Sequence, residues 1–135
     1  VATGPGGFTG TRLSVVMART LAQQLGCPLL GVSSFALMAS RLAPDEQPFW
    51  ITQPLPRRGV VAGQYRVRAA VVEELEAPHL LVAERIVSPA IEAAVDVDAD
   101  VEALLGRLRQ ALQRGEPLPW QSVLPLYPTS PVGPV

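Results

Sequence analysis

A glycine-rich run at residues 4–10, followed at once by an amphipathic pattern, most constrains how this chain can fold. Glycine accepts backbone angles that other residues avoid, whereas proline fixes its own φ. Residues 1–3 are predicted to end a strand, and residues 11–25 to form a helix. A strand, a glycine loop and a helix can bind an anion at the free N–H groups of the first helical turn, or can simply turn the chain tightly. We name this run the glycine elbow; it consists of Gly4, Pro5, Gly6, Gly7, Phe8, Thr9 and Gly10.

The helix predicted over residues 11–25 carries an apolar stripe. Thr9 and Thr11 are candidates to cap its start, and Gly26 followed by Pro28 is typical of a helix end. The stripe can pack on a sheet, on another helix, or on both. It consists of Leu13, Val16, Met17, Leu21 and Leu25.

Alternating strand and helix patterns follow. Residues 29–32 are predicted to form a short strand, and Ser33 or Ser34 to cap a second helix with Phe35, Met38, Ala39 and Leu42 on its buried face. Residues 49–53 and 60–67 are predicted to form a β-hairpin, with Gly63 as a possible bulge.

The second half of the sequence is less regular. Short strands are predicted at residues 69–72 and 80–83, separated by an acidic run that is more typical of a solvated face than of paired general acids. Asp98 or Asp100 is predicted to open a helix over residues 99–114, and its stripe should cover a sheet face. That stripe consists of Val101, Leu104, Leu105, Leu108, Ala111 and Leu112.

The composition excludes several kinds of site. All eleven basic residues among the 135 are arginine, so a lysine-dependent P-loop or Schiff base cannot form. His79 and Cys27 are the only histidine and cysteine, which is too few for a usual zinc site or an intramolecular disulfide. We expect Cys27 to be buried. The net charge of −1 and the lack of an apolar run of about 20 residues favour a cytoplasmic protein that binds neither nucleic acid by itself nor a membrane.

Residues 4–12, GPGGFTGTR, resemble the GPGSFTGxR signature of the TsaB (YeaZ) family, the bacterial partner subunit of TsaD in tRNA threonylcarbamoylation. Gly7 stands in place of the usual Ser, Thr11 of the usual Leu, and Ser14 of a frequent Gly. The matching positions are Gly4, Pro5, Gly6, Phe8, Thr9, Gly10 and Arg12.

Two later stretches strengthen the resemblance. Residues 28–33 fit the family's Pro-Leu-x-Gly-Val-Ser pattern at the expected distance from the glycine elbow. Residues 57–65 echo its Asp-Ala-Arg-x-Gly-Glu-Val-Tyr pattern, with Leu55-Pro56 in place of the acidic part.

The resemblance implies an α/β fold of the actin-like, Hsp70-like (ASKHA, RNase H-like) architecture, with two related halves. The family's opening strand, hairpin and helix have no counterpart ahead of Val1, so we expect the first half to be incomplete. We expect residues 1–43 to complete the first subdomain, residues 44–127 to form the second, and residues 128–135 to be a proline-rich tail.

The resemblance also implies a non-catalytic subunit that binds TsaD, and TsaE within the same complex, and meets tRNA only indirectly. ATP and metal would then be bound by TsaD and not by this chain. A homodimer of this chain is a further possibility. Arg57 and Arg58 are candidates for a contact with a partner or with tRNA. The alternative is that they lie in a solvated turn. The alternatives are a nucleotide-binding actin-like enzyme and an inactive truncated domain. The predicted partner interface is Arg12, Leu13, Val16, Met17, Ala18 and Leu21.

Overall fold

The computed structural model describes residues 1–128, and for Phe8 only the backbone. Contacts divide this part of the chain into two units: residues 1–34 with 96–126, and residues 35–95 with residues 127 and 128. In chain order the elements are α1 (Phe8–Leu25), α2 (Ser34–Leu42), β1 (Phe49–Leu55), β2 (Gly59–Arg68), β3 (Val71–Leu80), β4 (Ala90–Glu92), α3 (Val97–Gln113) and a 3₁₀ helix (Trp120–Ser122).

In the first unit, Ala2 and Val32 form an isolated parallel β-bridge. The N–H of Thr3 donates to the carbonyl of Val32 at 2.9 Å. A segment near the C-terminus adds a hydrogen bond beside this bridge, because the N–H of Leu126 donates to the carbonyl of Thr3 at 2.8 Å. The prolines of this segment rule out a regular strand, but its remaining backbone groups still stabilise the bridge.

The second unit contains a four-stranded sheet in the order β3-β2-β1-β4. β1 and β2 form the predicted antiparallel hairpin, and β4 pairs with β1 in parallel. The register between β2 and β3 shifts on either side of Gln64. Gly63 lies opposite this irregularity, where an added Cβ would stand 2.9 Å from the Tyr65 ring. The extra residues are on β3, since Val61–Arg68 pair with the longer segment Val71–Leu80, so the bulge belongs to β3 and not to Gly63 as predicted.

One face of α2 packs with the hairpin to form the core of the second unit. Burial of large apolar side chains such as these stabilises a fold by about 1.5–3 kcal/mol each. The core residues are Phe35, Met38, Ala39, Phe49, Ile51, Val61 and Tyr65.

Three local predictions need correction. Ala69 and Ala70 have φ of 50° and 62° and form the turn between β2 and β3, so they do not begin a strand. β3 is one continuous strand through the acidic run, because Glu73 and Glu76 pair with residues of β2. Cys27, which was expected to be buried, is exposed just after the end of α1.

The helix caps also differ from the predictions. The N-cap of α1 is Gly7, and no side chain accepts a hydrogen bond there. α3 is capped by Asp96, whose carboxylate accepts from the N–H of Ala99 at 3.1 Å, and not by Asp98 or Asp100. The predicted αL glycine at the end of α1 is confirmed at Gly26.

The two units divide the chain differently from the predicted ranges. Residues 96–126 group with residues 1–34 and not with the hairpin. Hydrogen bonds across large sequence separations explain this grouping, since Leu29 donates to the carbonyl of Leu118 at 3.0 Å and Leu126 donates to that of Thr3.

The apolar stripe of α3 is not buried as predicted. Leu105 is 46% exposed and Leu112 is 56% exposed, while Ala111 is buried at 2%. Leu104 and Leu108 are half-buried, as are Ala99 and Ala103, so the stripe is covered only in part.

Candidate partner interface on the first helix

The glycine elbow begins at a position that only glycine can occupy without strain. Gly4 has a φ of 103°, and an added Cβ would lie 3.1 Å from the carbonyl oxygen of Leu126. Its own carbonyl accepts from the N–H of Ser34 at 2.7 Å. The start of the elbow is therefore fixed by its neighbours, and its backbone angle requires glycine.

The last three residues of the elbow belong to α1, since the helix begins at Phe8. Gly7 is extended, with φ −62° and ψ 135°, and its carbonyl accepts from Thr11 at 2.9 Å. The chain thus turns from Thr3 into the helix within four residues. This geometry fits the structural use of the elbow, which remains a prediction.

The packed side of α1 is anchored by Arg19. Its Nη1 donates to the carbonyl of Val123 at 3.2 Å, and its guanidinium carbon lies 5.5 Å from the centre of the Trp120 ring. Val15 and Ala22 are buried on the same side. These contacts fix the rotation of the helix about its axis and therefore decide which residues face solvent.

The solvent side of α1 exposes several large apolar residues and one charged residue, Arg12. Leu13 is 62% exposed and Met17 is 65% exposed, while Val16 and Leu21 are each more than half exposed. At 100° per residue, ten positions fall within the half circle that runs from Val16 through Leu13 and Met17 to Leu25, and none of them is charged. We name this half circle the α1 face; it consists of Thr9, Gly10, Leu13, Ser14, Val16, Met17, Thr20, Leu21, Gln24 and Leu25.

An uncharged helical face with exposed leucine and methionine is unusual for a surface that meets only water. Surface helices normally carry charged residues on their outer side. A contiguous exposed apolar patch marks an interaction site. The α1 face is therefore the candidate partner interface, and its use by a partner stays a prediction.

Four of the six predicted interface residues lie on the α1 face: Leu13, Val16, Met17 and Leu21. Arg12 is exposed but lies just outside it, beside Val16 on the helical wheel. Ala18 is half-buried and lies on the packed side, so the structure separates it from the others.

Sequence reasoning missed the anchor formed by Arg19, Trp120 and Val123. The arginine and its contacts are about one hundred residues apart. Trp120 lies in a proline-rich segment without a periodic pattern, so no local signal links it to α1.

Arg57 and Arg58 lie at the tip of the hairpin in the second unit. Arg57 is exposed and has a φ of 64°, and the N–H of Arg58 donates to the carbonyl of Leu55 at 3.1 Å. The Arg57 side chain is therefore accessible at the tip. Contact of Arg57 or Arg58 with a partner or with tRNA stays a prediction.

The acidic run on β3 is engaged by neighbouring side chains. Arg66 contacts the Glu73 carboxylate at 2.6 Å and Arg68 at 3.3 Å, and their hydrogen bonds lower the pKa of Glu73. The hydroxyl of Tyr65 donates to Glu74 at 2.9 Å. These cross-strand contacts stabilise the pairing of β3 with β2.

Residues 1–128 contain no cluster of three or more histidine, cysteine or acidic side chains arranged to bind a metal ion. The single histidine, His79, contacts the carbonyl of Ala77 at 2.8 Å through Nδ1. None of the helices in this part of the chain combines the length and apolar character that a bilayer crossing requires.

The sequence matches a protein-family model described as TsaD: tRNA N6-adenosine threonylcarbamoyltransferase, over residues 1–103. The chain belongs to this family. No match is found among curated proteins.

The fold is that of YeaZ. One similar structure is described as an uncharacterized protein with similarity to peptidase YEAZ from Pseudomonas aeruginosa, with a TM-score of 0.72 and 22% identity over 93% of this chain and 70% of that one. A second, YeaZ from Pseudomonas aeruginosa, gives a TM-score of 0.71 and 23% identity over 93% of this chain and 71% of that one. The predicted resemblance to the TsaB (YeaZ) family and the predicted actin-like (ASKHA) α/β fold are both confirmed.

Proposed function

We propose that this chain is the non-catalytic subunit of a tRNA-modifying complex and binds TsaD through the α1 face. The complex forms N6-threonylcarbamoyladenosine in tRNA, and TsaE is a further member. ATP and metal are held by TsaD. The observation that carries the proposal is the uncharged, apolar α1 face on a chain of the TsaD family.

The chemistry of the interface follows from its residues. Binding removes apolar area from water at about 25 cal/mol per Å², and no charged side chain has to be desolvated within the half circle. Arg12 at the edge adds a positive charge where the rim of an interface is usually polar. The partner therefore presents apolar residues opposite Leu13 and Met17.

A non-catalytic role is supported by the residues in the sequence. The word peptidase in the description of one similar structure belongs to that protein. A pair of zinc-binding histidines cannot be built from one histidine, and the sequence has no lysine for a P-loop.

The proposal is tested by calorimetric titration of purified TsaD from the same organism with Leu13→Glu and Val16→Glu. Each substitution places an unpaired carboxylate in the interface, so we expect TsaD to bind at least about tenfold more weakly. Gln113→Glu, which adds the same charge at an exposed site on α3, is the matched control and should bind like wild type.

Circular dichroism verifies that each variant is folded. Undiminished TsaD binding by folded Leu13→Glu and Val16→Glu would refute the role of the α1 face. ATP binding by the isolated chain, measured in the same instrument, would instead favour a nucleotide-binding enzyme.

A further inference from the structure

The packed side of α1 is held by a distant segment of the chain, residues 116–126, which we name the clamp. Of the helices and strands within residues 1–128, the 3₁₀ helix of the clamp packs most extensively against α1. Arg19 joins the two, through its hydrogen bond to the Val123 carbonyl and its stacking on the Trp120 ring. On the helical wheel Arg19 lies about 150° from the centre of the α1 face, so the clamp and the face use opposite sides of the helix.

The clamp is also attached to the segment that follows α1. The N–H of Leu29 donates to the carbonyl of Leu118 at 3.0 Å. Val123 is 7% exposed, and its Cγ1 lies 2.9 Å from the point where a Cβ on Gly31 would stand. The position of the Trp120 ring is therefore determined by these contacts and not by α1 alone.

The attachment of the clamp rests on few contacts. Within residues 116–126, all of which the structure describes, Val123 is the one buried residue. Pro117, Pro119 and Pro125 lack the N–H that a strand or a helix would use, so separate contacts hold the clamp in place of a continuous ladder. Segments of this kind open locally without unfolding of the whole protein. We therefore expect an open state in which Arg19 loses both of its contacts.

The rotation of α1 depends on Arg19 more than on its buried apolar residues. The buried side chains of α1 that the structure describes are those of Val15 and Ala22, and both are small. Burial of apolar area has no preferred direction, so two small side chains fix a rotation only loosely. A hydrogen bond and a cation–π contact do depend on direction. When the clamp opens, α1 therefore loses the contacts that set which way the α1 face points.

We infer that the clamp controls how tightly α1 binds its partner, with Arg19 and Trp120 as positioning residues that lie outside the α1 face. The inference rests on the proposed function, since the partner is TsaD bound at the α1 face. TsaD binds the closed clamp, so its apparent affinity is reduced by the fraction of the chain in which the clamp is closed. By linkage, bound TsaD favours closure by the same factor.

Binding of purified TsaD to the full chain, followed by surface plasmon resonance, tests the inference. We expect Arg19→Met and Trp120→Ala to bind about tenfold more weakly if the closed fraction falls to about one tenth. Trp120→Phe keeps an aromatic ring under the guanidinium and should retain most of the affinity. Arg85→Met is the matched control, because it removes a guanidinium that lies 5.2 Å from the Trp50 ring in the second unit, and it should bind like wild type.

The rate constants separate positioning from direct contact with TsaD. If the substitutions act by opening the clamp, the association rate constant falls by the same factor as the affinity, because fewer chains are competent to bind. The dissociation rate constant then stays near that of wild type. A residue that touches TsaD would instead raise the dissociation rate constant, as most interface substitutions do.

Hydrogen exchange of the wild-type chain provides a second measurement. TsaD should slow exchange of the amides of Leu29 and Leu126, which donate to carbonyls across the attachment of the clamp and lie outside the α1 face. The amide of Ala93 is the control, because it donates to the carbonyl of Thr52 in the second unit and should exchange at an unchanged rate.

The inference and the proposed function fail in different ways. If Leu13→Glu weakens TsaD binding while folded Arg19→Met and Trp120→Ala bind like wild type, the clamp has no positioning role and the proposed function stands. If folded Leu13→Glu binds TsaD like wild type, both are refuted. Losses that appear in the dissociation rate constant, or equal losses in Trp120→Phe and Trp120→Ala, would also overturn the role of the clamp.

Discussion

At the scale of single residues, Glu73 shows how a carboxylate on an exposed strand can still affect stability. Arg66 and Arg68 donate hydrogen bonds to it, and these hold its pKa below the usual value of 4.5. A folded-state pKa below the unfolded value means that folding favours the ionised form. The resulting stability is present above about pH 4.5 and is lost as the pH falls through the folded-state pKa.

We predict that Glu73→Gln lowers the unfolding temperature above about pH 4.5, and that the difference from wild type shrinks as the pH falls below it. Thermal unfolding followed by circular dichroism between acidic and neutral pH measures this. Glu46→Gln, at an exposed loop site, is the control and should show no such dependence. A difference that stays constant with pH would contradict the linkage.

At the scale of elements, the turn between β2 and β3 is the feature that could not be predicted from the sequence. Its two central residues, Ala69 and Ala70, both have positive φ, which a type I′ hairpin turn requires and which alanine disfavours. Asparagine followed by glycine is the pair that normally marks such a turn. Without it, residues 69–72 have the pattern of a continuing strand.

We predict that A69N/A70G stabilises the fold by about 1 kcal/mol. The left-handed conformation costs an ordinary residue about 1–2 kcal/mol, partly offset by the greater freedom of glycine in the unfolded chain. Urea unfolding measures the change. Ala77→Gly, at an exposed site within β3, is the control and should destabilise; a loss of stability in A69N/A70G would contradict the turn geometry.

The regular elements could be predicted wherever local chemistry determines them. Gly26 ends α1 because its left-handed backbone favours glycine, and the hairpin of β1 and β2 follows from its β-favouring residues and the intervening turn. The periodic leucines showed which face of α3 is apolar. They could not show that this face is exposed, because burial depends on which segments cover it.

At the scale of the whole molecule, the sequence predicted the family from nine residues around the glycine elbow, and the family model and the fold confirmed it. It did not predict that residues 96–126 group with residues 1–34. That grouping rests on backbone hydrogen bonds and on the Arg19–Trp120 contact, which join segments far apart in the chain. Helical spacing places Leu13, Val16, Met17 and Leu21 together on α1, and their use as a partner interface stays a prediction.

Each of the two units contains one of the two tryptophans of the chain, and each indole lies beneath an arginine. Trp50 in the second unit has the guanidinium of Arg85 at 5.2 Å, and Trp120 in the first has that of Arg19 at 5.5 Å. Replacing one tryptophan with phenylalanine therefore leaves a single tryptophan that reports on a single unit when it is excited selectively. Intrinsic emission alone, with no attached dye, can then reveal whether the two units melt in one transition or in two.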